Sequence, residues 1–239
     1  MRQVPHYLII GNGRVSRHFQ HYFKLLNLSF SLWHRPMPEA ALTEKARQAT
    51  HILILISDRF IELFAENNLG DIRAKCIHFS GSLVCERVIG AHPLIGFNTD
   101  LYSQETYQSI PFILDHDAPE FANVLPGLSN PHVRLSKNQK AKYHALCVMA
   151  GNFSCILWQK LFSSLENEFH ISSEIAKPYL KQQTDNLIRD AKSALTGPLT
   201  RGDMETIQKN LAALDGDAFK NIYQSFVTCY ETLNNEVII

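Results

Sequence analysis

The sequence predicts an α/β chain: a doubly wound parallel sheet over residues 1–135, followed by an all-α region over residues 136–239. Three observations carry that prediction. Short apolar runs alternate with amphipathic runs at helical spacing through the first half of the chain. One of them, residues 51–56, is almost wholly apolar, as a strand must be when helices cover both faces of its sheet. After Ser136 no strand-like run recurs, and the apolar residues return at helical spacing.

The elements follow in order. Residues 7–10 form a compact apolar strand that ends in glycine. Residues 14–27 place Val15, Phe19, Tyr22, Phe23 and Leu26 on one helical face. Residues 29–33 read as a second strand, 39–48 as a helix, 51–56 as the third strand and 59–67 as a helix. Strands at 75–79, 111–114 and 132–135, with a helix at 120–125, complete the sheet domain. This order implies parallel strands joined by right-handed crossovers. Ser136 then caps a long helix to about residue 168, and Ser172 or Ser173 caps the next, with Pro178 near its start. Residues 195–202 contain Gly-Pro and Arg-Gly and read as a loop. Asp203 caps a helix over 204–214, and residues 217–234 form the last one.

Composition narrows the function. Lysine plus arginine and aspartate plus glutamate number 23 each, which argues against nucleic acid as a partner. The five cysteines form no CxxC pair and leave one over, so neither a disulfide framework nor a zinc knuckle is expected, and a cytoplasmic location fits. The apolar run after Met1 is too short for a signal-peptide core, and no stretch is expected to span a membrane. His18 and His21 lie three apart on the first helix, but no third ligand has matching spacing, so no metal site is expected. HExxH, P-loop and GxSxG motifs do not occur.

The most informative segment is Gly11-Asn12-Gly13-Arg14-Val15-Ser16, between the first strand and the first helix. Strand, G-x-G-x-x-small, helix is the context in which a Rossmann-type domain binds a dinucleotide. Gly11 permits the tight turn, Gly13 clears space for a pyrophosphate, and a small residue at Ser16 lets helix and strand pack. The helix N-terminus offers free N–H groups and its positive dipole end to the phosphates. An acidic residue at the end of the second strand would select NAD(H); this chain has Trp33-His34-Arg35 there, and no acid before Glu39. Arg35 can pair with a 2′-phosphate and His34 can add a hydrogen bond, so NADP(H) is expected over NAD(H). Ser57-Asp58 and Ser80-Gly81 follow strands at the sheet's carboxyl edge, where ligands bind in open α/β sheets.

Further segments occur in a telling order: His78-Phe79-Ser80-Gly81-Ser82, Gly90-Ala91-His92-Pro93-Leu94, Tyr143-His144-Ala145 with Asn152-Phe153, and Leu195-Thr196-Gly197-Pro198-Leu199-Thr200-Arg201-Gly202-Asp203. With the glycine turn, they resemble Rossmann-like oxidoreductases that carry a helical C-terminal domain. That group is similar to the pyrroline-5-carboxylate reductases, ketopantoate reductases and β-hydroxyacid dehydrogenases of the 6-phosphogluconate dehydrogenase-like superfamily. The resemblance implies an NAD(P)-binding domain, a helical domain through which a homodimer forms, and a substrate cleft between them. It also implies a lysine at the start of the long helix and an asparagine one turn later as catalytic residues. Lys140 falls at the first position and His144, in place of asparagine, at the second; Lys137 or Lys142 are alternatives for the amine.

Helical spacing speaks independently for the same stripe. Lys140, His144, Val148 and Asn152 repeat every four residues and share one face. An amine, an imidazole and an amide on one stripe can line a cleft, where His144 or Lys140 would supply a proton. His92, in an expected loop after the fourth strand, is a further candidate for ligand contact. Arg201 is open to two readings, pairing with Asp203 or contacting an anionic substrate. The expectation is an oxidoreductase that moves hydride between NADP(H) and a small carbonyl or imine. The alternative is a non-catalytic NADP(H)-binding redox sensor, motivated by the missing asparagine.

Overall fold

A computed structural model describes residues 4–236, so the outermost ends of both expected regions lie outside the described residues. The sheet unit runs β1 (His6–Ile10), α1 (Arg14–Leu25), β2 (Ser29–Trp33), α2 (Glu39–Gln48), β3 (His51–Ile54), a 3-10 turn Asp58–Phe60, α3 (Ile61–Leu69), β4 (Lys75–His78) and β5 (Ile89–Pro93). It continues with α4 (Gln104–Ser109), β6 (Phe112–Asp115), α5 (Phe121–Val124) and β7 (His132–Leu135). The helical region comprises α6 (Lys140–Val148), a π-helical turn Met149–Phe153, α7 (Ser154–Asn167), α8 (Lys177–Arg189), α9 (Pro198–Arg201), α10 (Met204–Ala213) and α11 (Phe219–Glu236). The chain divides into two compact units, Met1–Leu157 and Trp158–Ile239. The sheet ends at Leu135, as expected, while the division between units falls inside α7.

The seven strands form one sheet in the order β2-β1-β3-β4-β5-β6-β7. Successive residues of β1 point to opposite faces, and each face has its own core. Tyr7 and Ile9 pack with Leu53, Ile77 and the α1 residues Phe19 and Phe23. Leu8 and Ile10 pack with Ile52, Ile54, Leu42 of α2 and Ile61 of α3. All of these side chains are buried to 3 % exposure or less. Each contributes roughly 1.5–3 kcal/mol by leaving water. Two covered faces explain why β1 and β3 read as continuous apolar runs rather than as alternation.

The doubly wound α/β class holds, with two refinements of the sheet. Residues 89–93, expected to be loop, form β5, which sits between β4 and β6. Gly90, His92 and Pro93 weaken any strand signal, and it is pairing on both sides that makes this segment a strand. The second refinement is that β6 pairs antiparallel with β5, and β7 follows β6 in parallel. The chain leaves β5, forms the short helix α4 capped by Ser103, and turns back beside β5 without a crossover. Residues 195–202 also gain structure: Pro198–Arg201 makes one helical turn between Gly197 and a left-handed Gly202. Asp203 caps α10 as expected, its carboxylate accepting the Thr206 N–H at 3.0 Å.

The helix from residue 137 is not uniform. It opens with a 3-10 turn and carries the π turn Met149–Phe153 at its centre. Within Lys137–Asn167 an 18-residue window has a mean hydropathy of 1.3, so this helix is long and apolar enough to cross a membrane by length and composition, although no such stretch is expected from the sequence. Its first turns, however, are tied to the sheet through polar groups, as the site geometry shows.

Candidate active site

The glycine turn is built as the sequence predicts. Gly11 has φ +116°, and a Cβ there would lie 2.2 Å from the Leu55 carbonyl oxygen, so only glycine fits. Its N–H donates to the Trp33 carbonyl at 2.9 Å, which ties the turn to the end of β2. Gly13 precedes α1 without capping it through a side chain, and a Cβ on it would meet no protein atom within 4 Å. The first turn of α1 holds no acidic residue. Ser16 is fully buried and donates from Oγ to the Gly11 carbonyl at 2.7 Å, so this position both packs tightly and clamps the turn. An uncapped helix start, an open space at Gly13 and a first helical turn without an acid fit a bound pyrophosphate.

Three cavities surround this turn. The first, about 400 Å³, is lined by Gly11, Asn12, Trp33, His34, Arg35 and Ser57, with Phe60 and Phe64 among its apolar walls. It brings together Gly11, Asn12, His34, Arg35 and Ser57 of the residues assigned to the cofactor from sequence. The His34 Nδ1 lies 2.8 Å from the Arg35 carbonyl oxygen, while Arg35 itself is exposed. The second cavity, about 290 Å³, is lined by Gly13, Arg14, Val15, Ser16, Asp58 and Ser80 among others. Here the Ser80 hydroxyl donates to the Asp58 carboxylate and accepts the Leu83 N–H at 3.0 Å. The Asp58 carboxylate is thereby engaged by the end of β4.

The third cavity, about 900 Å³, also begins at Arg14 and Val15 and passes Phe79 to reach His92, Tyr143, His144 and Asn152. Strand β5 is staggered: Gly90 is level with His78, the last residue of β4, so His92 stands beyond the carboxyl edge of its neighbour. The His92 Nδ1 lies 2.9 Å from the Tyr143 hydroxyl. The His92 and His144 rings are 5.8 Å apart and nearly perpendicular. Gly81 closes this cluster from below. A Cβ on Gly81 would sit 2.3 Å from His144 Cδ2 and 3.1 Å from His92 Cδ2. Its missing side chain makes room for the imidazoles, and Gly81 lines none of the three cavities.

Burial, reinforced by neighbouring His144 and Lys140, pushes His92 down to about 4. His92 is therefore neutral at pH 7. Burial also raises the Tyr143 phenol well above its ordinary value, so the phenol keeps its proton. A neutral imidazole and a protonated phenol can each donate to the other; in the tautomer that accepts at Nδ1, His92 carries its proton on Nε2. His78, buried behind this cluster, is pushed down to about 4 by desolvation first and by Lys140 next. Its Nδ1 accepts the Ser80 N–H at 3.3 Å, and its Nε2 has no hydrogen-bond partner among the described residues.

Lys140 is placed differently from its neighbours on the stripe. It is 5 % exposed and lines none of these cavities. Its Nζ lies 2.6 Å from Asp115 Oδ1 in a buried ion pair, at the junction of β5, β6 and α6. Helical spacing puts Lys140 on the His144 face, but its long side chain bends to the one buried carboxylate within reach. His144 and Asn152 do line the third cavity, Asn152 from the π turn. The alternative amines are elsewhere: Lys137 pairs with Asp117 at 3.0 Å, and Lys142 is exposed. His18 is buried against the Tyr107 hydroxyl at 2.7 Å and the Asn98 carbonyl at 3.1 Å, a structural role. Tyr143 and Asp115 escaped the sequence reading. Tyr143 stands beside His144 in a segment already singled out, but the partner that gives it a role is 51 positions away.

Comparison with known proteins agrees with the fold. Residues 115–229 match the family model described as a domain of unknown function, DUF2520. No curated protein sequence matches. A candidate NADP oxidoreductase from Bacteroides fragilis superimposes with a TM-score of 0.74 at 17 % identity, covering 95 % of this chain and 97 % of that one. A Thermotoga maritima protein gives 0.70 at 19 %, covering 98 % and 100 %. A reductive aminase from Aspergillus terreus, solved with NADPH and ethyl levulinate, gives 0.62 at 12 %, covering 98 % and 95 %. At these identities the likeness speaks for architecture: the chain has the Rossmann-like fold of the NAD(P) oxidoreductases, with the DUF2520 match spanning the end of its sheet and most of its helical region.

Proposed function

We propose that this protein is an NADP(H)-dependent oxidoreductase acting on a small carbonyl or imine. One observation carries the reading: Arg14 and Val15, at the start of the helix that would hold the pyrophosphate, line the same cavity as His92, Tyr143 and His144. NADP(H), when bound, supplies or accepts a hydride at its nicotinamide ring. In this reading Gly11, Asn12, Gly13 and the α1 N-terminus hold the phosphates, and Arg35 with His34 receives the 2′-phosphate. Val15, Ser80 and Phe79 border the path from the phosphates to the imidazoles.

His92, neutral and held by Tyr143, donates a hydrogen bond from Nε2 to the substrate oxygen or nitrogen and polarises it. His144, beside it, supplies the proton that balances the hydride, and Asn152 orients the substrate from the π turn. The Aspergillus terreus enzyme, with its bound keto ester, supports a carbonyl or imine substrate by architecture. The second unit exposes Ile175, Tyr179, Leu187, Ile188, Phe226 and Leu233, which supports a homodimer built on the helical region.

The test is fluorescence titration with NADPH and NADH, followed by NADPH oxidation across 2-keto acids, cyclic imines and aldehydes. Submillimolar NADPH binding with turnover that His144→Ala abolishes is expected. Absence of binding by either nucleotide overturns the reading. Tight binding without turnover of any substrate favours a redox sensor.

A further inference from the structure

One group near the imidazoles has no part in the chemistry described above: the buried Lys140–Asp115 pair. Asp115 uses both oxygens. Oδ1 takes the Lys140 ammonium at 2.6 Å, and Oδ2 accepts the Gly90 N–H at 2.8 Å. Both side chains are almost completely buried, at 6 % and 4 % exposure. The pair closes directly over Gly90, where a Cβ would stand 2.5 Å from Lys140 Nζ and 2.7 Å from each Asp115 oxygen. Gly90 lies two residues before His92 on β5. Lys140 lies three residues before Tyr143, and four before His144, on α6.

We propose that Lys140 is a positioning residue: its ion pair with Asp115, seated on Gly90, sets the spacing between the strand that carries His92 and the helix that carries Tyr143 and His144. A buried ion pair contributes little net stability against well-packed apolar replacements, because desolvation offsets its attraction. What it does supply is direction, since the ammonium, the carboxylate and the Gly90 N–H satisfy one another in a single arrangement. A second consequence is local specificity at Gly90, which must lack a side chain for the pair to sit there. The proposal depends on the oxidoreductase reading only where turnover is measured.

The experiment uses the full-length protein and records the imidazole nitrogen resonances of His92 and His144 by NMR, together with NADPH affinity and turnover. Two variants are compared with the wild type: Lys140→Met, and Lys140→Gln combined with Asp115→Asn. The double variant puts a neutral hydrogen-bonded pair in the same space and leaves the Gly90 N–H an acceptor. Wild type and double variant are expected to hold His92 in one tautomer, with turnover within about tenfold of each other. Lys140→Met, with an unpaired buried carboxylate, is expected to show two His92 tautomers. It should also lose kcat by about 30-fold or more while NADPH affinity stays within about threefold.

Unchanged His92 and His144 spectra in a folded Lys140→Met variant overturn the proposal. If that variant does not fold, the double variant decides. One tautomer with turnover retained supports positioning. A disordered His92 overturns it, and so does a loss of more than about a thousandfold with His92 in place, which would assign chemistry to the ammonium itself. If the wild type turns over no substrate, the oxidoreductase reading fails, and the imidazole spectra still decide the role of Lys140.

Discussion

Gly81 and His144 compete for one space: a Cβ on Gly81 would lie 2.3 Å from the His144 imidazole. The end of β4 and the second turn of α6 are thus fitted to each other at the place where the imidazoles meet the cavity. Gly81→Ala must therefore push His144 from its position, toward the cavity that it lines. The expected result is a fall in kcat of at least about tenfold, with NADPH affinity within about threefold of wild type. Steady-state kinetics beside a binding titration checks it; equal losses in both would place Gly81 in the cofactor site instead.

Arg35 provides the test of cofactor choice. Arg35→Ala removes the cation expected at the 2′-phosphate, a charge-assisted contact of about 1.5–3 kcal/mol. NADPH affinity is expected to weaken about 10- to 100-fold while NADH affinity stays within about threefold. Parallel titrations with both nucleotides separate this outcome from a general loss of binding, which would move both equally.

Gly11→Ala tests the turn itself. Its φ of +116° and the 2.2 Å approach to a backbone oxygen leave no relaxed alternative. Positive φ alone costs a non-glycine residue about 1–3 kcal/mol, and the backbone collision adds to that. A loss of about 3 kcal/mol or more in chemical denaturation is expected. A variant of wild-type stability would show that the turn is not built as described.

Two buried imidazoles make stability depend on pH. His78 and His92 are each pushed down to about 4, against about 6.5 in the unfolded chain. Between those values the unfolded state binds more protons than the folded state, so stability rises with pH across the window. The contribution is complete above about pH 6.5 and is lost as pH falls toward 4. Fully buried His78 accounts for up to about 3 kcal/mol, and half-buried His92 for less because solvent screens it. Thermal unfolding from pH 7.5 to 4.5 should show Tm falling below 6.5, and His78→Gln should flatten that fall.

The apolar surface of the second unit leads to the last prediction. Sedimentation at micromolar concentration is expected to give twice the chain mass. Leu187→Asp with Ile188→Asp is expected to give the single-chain mass with little change in helical content. A wild-type monomer throughout that range would remove the homodimer.

The elements most legible in the sequence are those that carry their own cause. β2, α2 and β7 fall at the residues expected, because local propensity and apolar spacing act over a few positions. Gly11 declares the turn because its positive φ and its close approach to the Leu55 carbonyl demand glycine there. Asp203 declares a helix start in the same local way. Strand β5 could not be read so, because Gly90–Pro93 has weak strand propensity and owes its form to two neighbours distant in sequence. The antiparallel turn of β6 was hidden for the same reason.

The sequence by itself determined the doubly wound class, the glycine turn between β1 and α1, and the stripe that holds His144 and Asn152. Only the tertiary structure decided that Tyr143 holds His92, that Gly81 yields its space to His144, and that Lys140 turns away to Asp115. The physical reason is range. Helical periodicity states which residues share a face, but not where a long, charged side chain ends. Lys140 settles on a carboxylate 25 positions away because burying an ammonium beside its one available counter-charge costs far less than burying it alone.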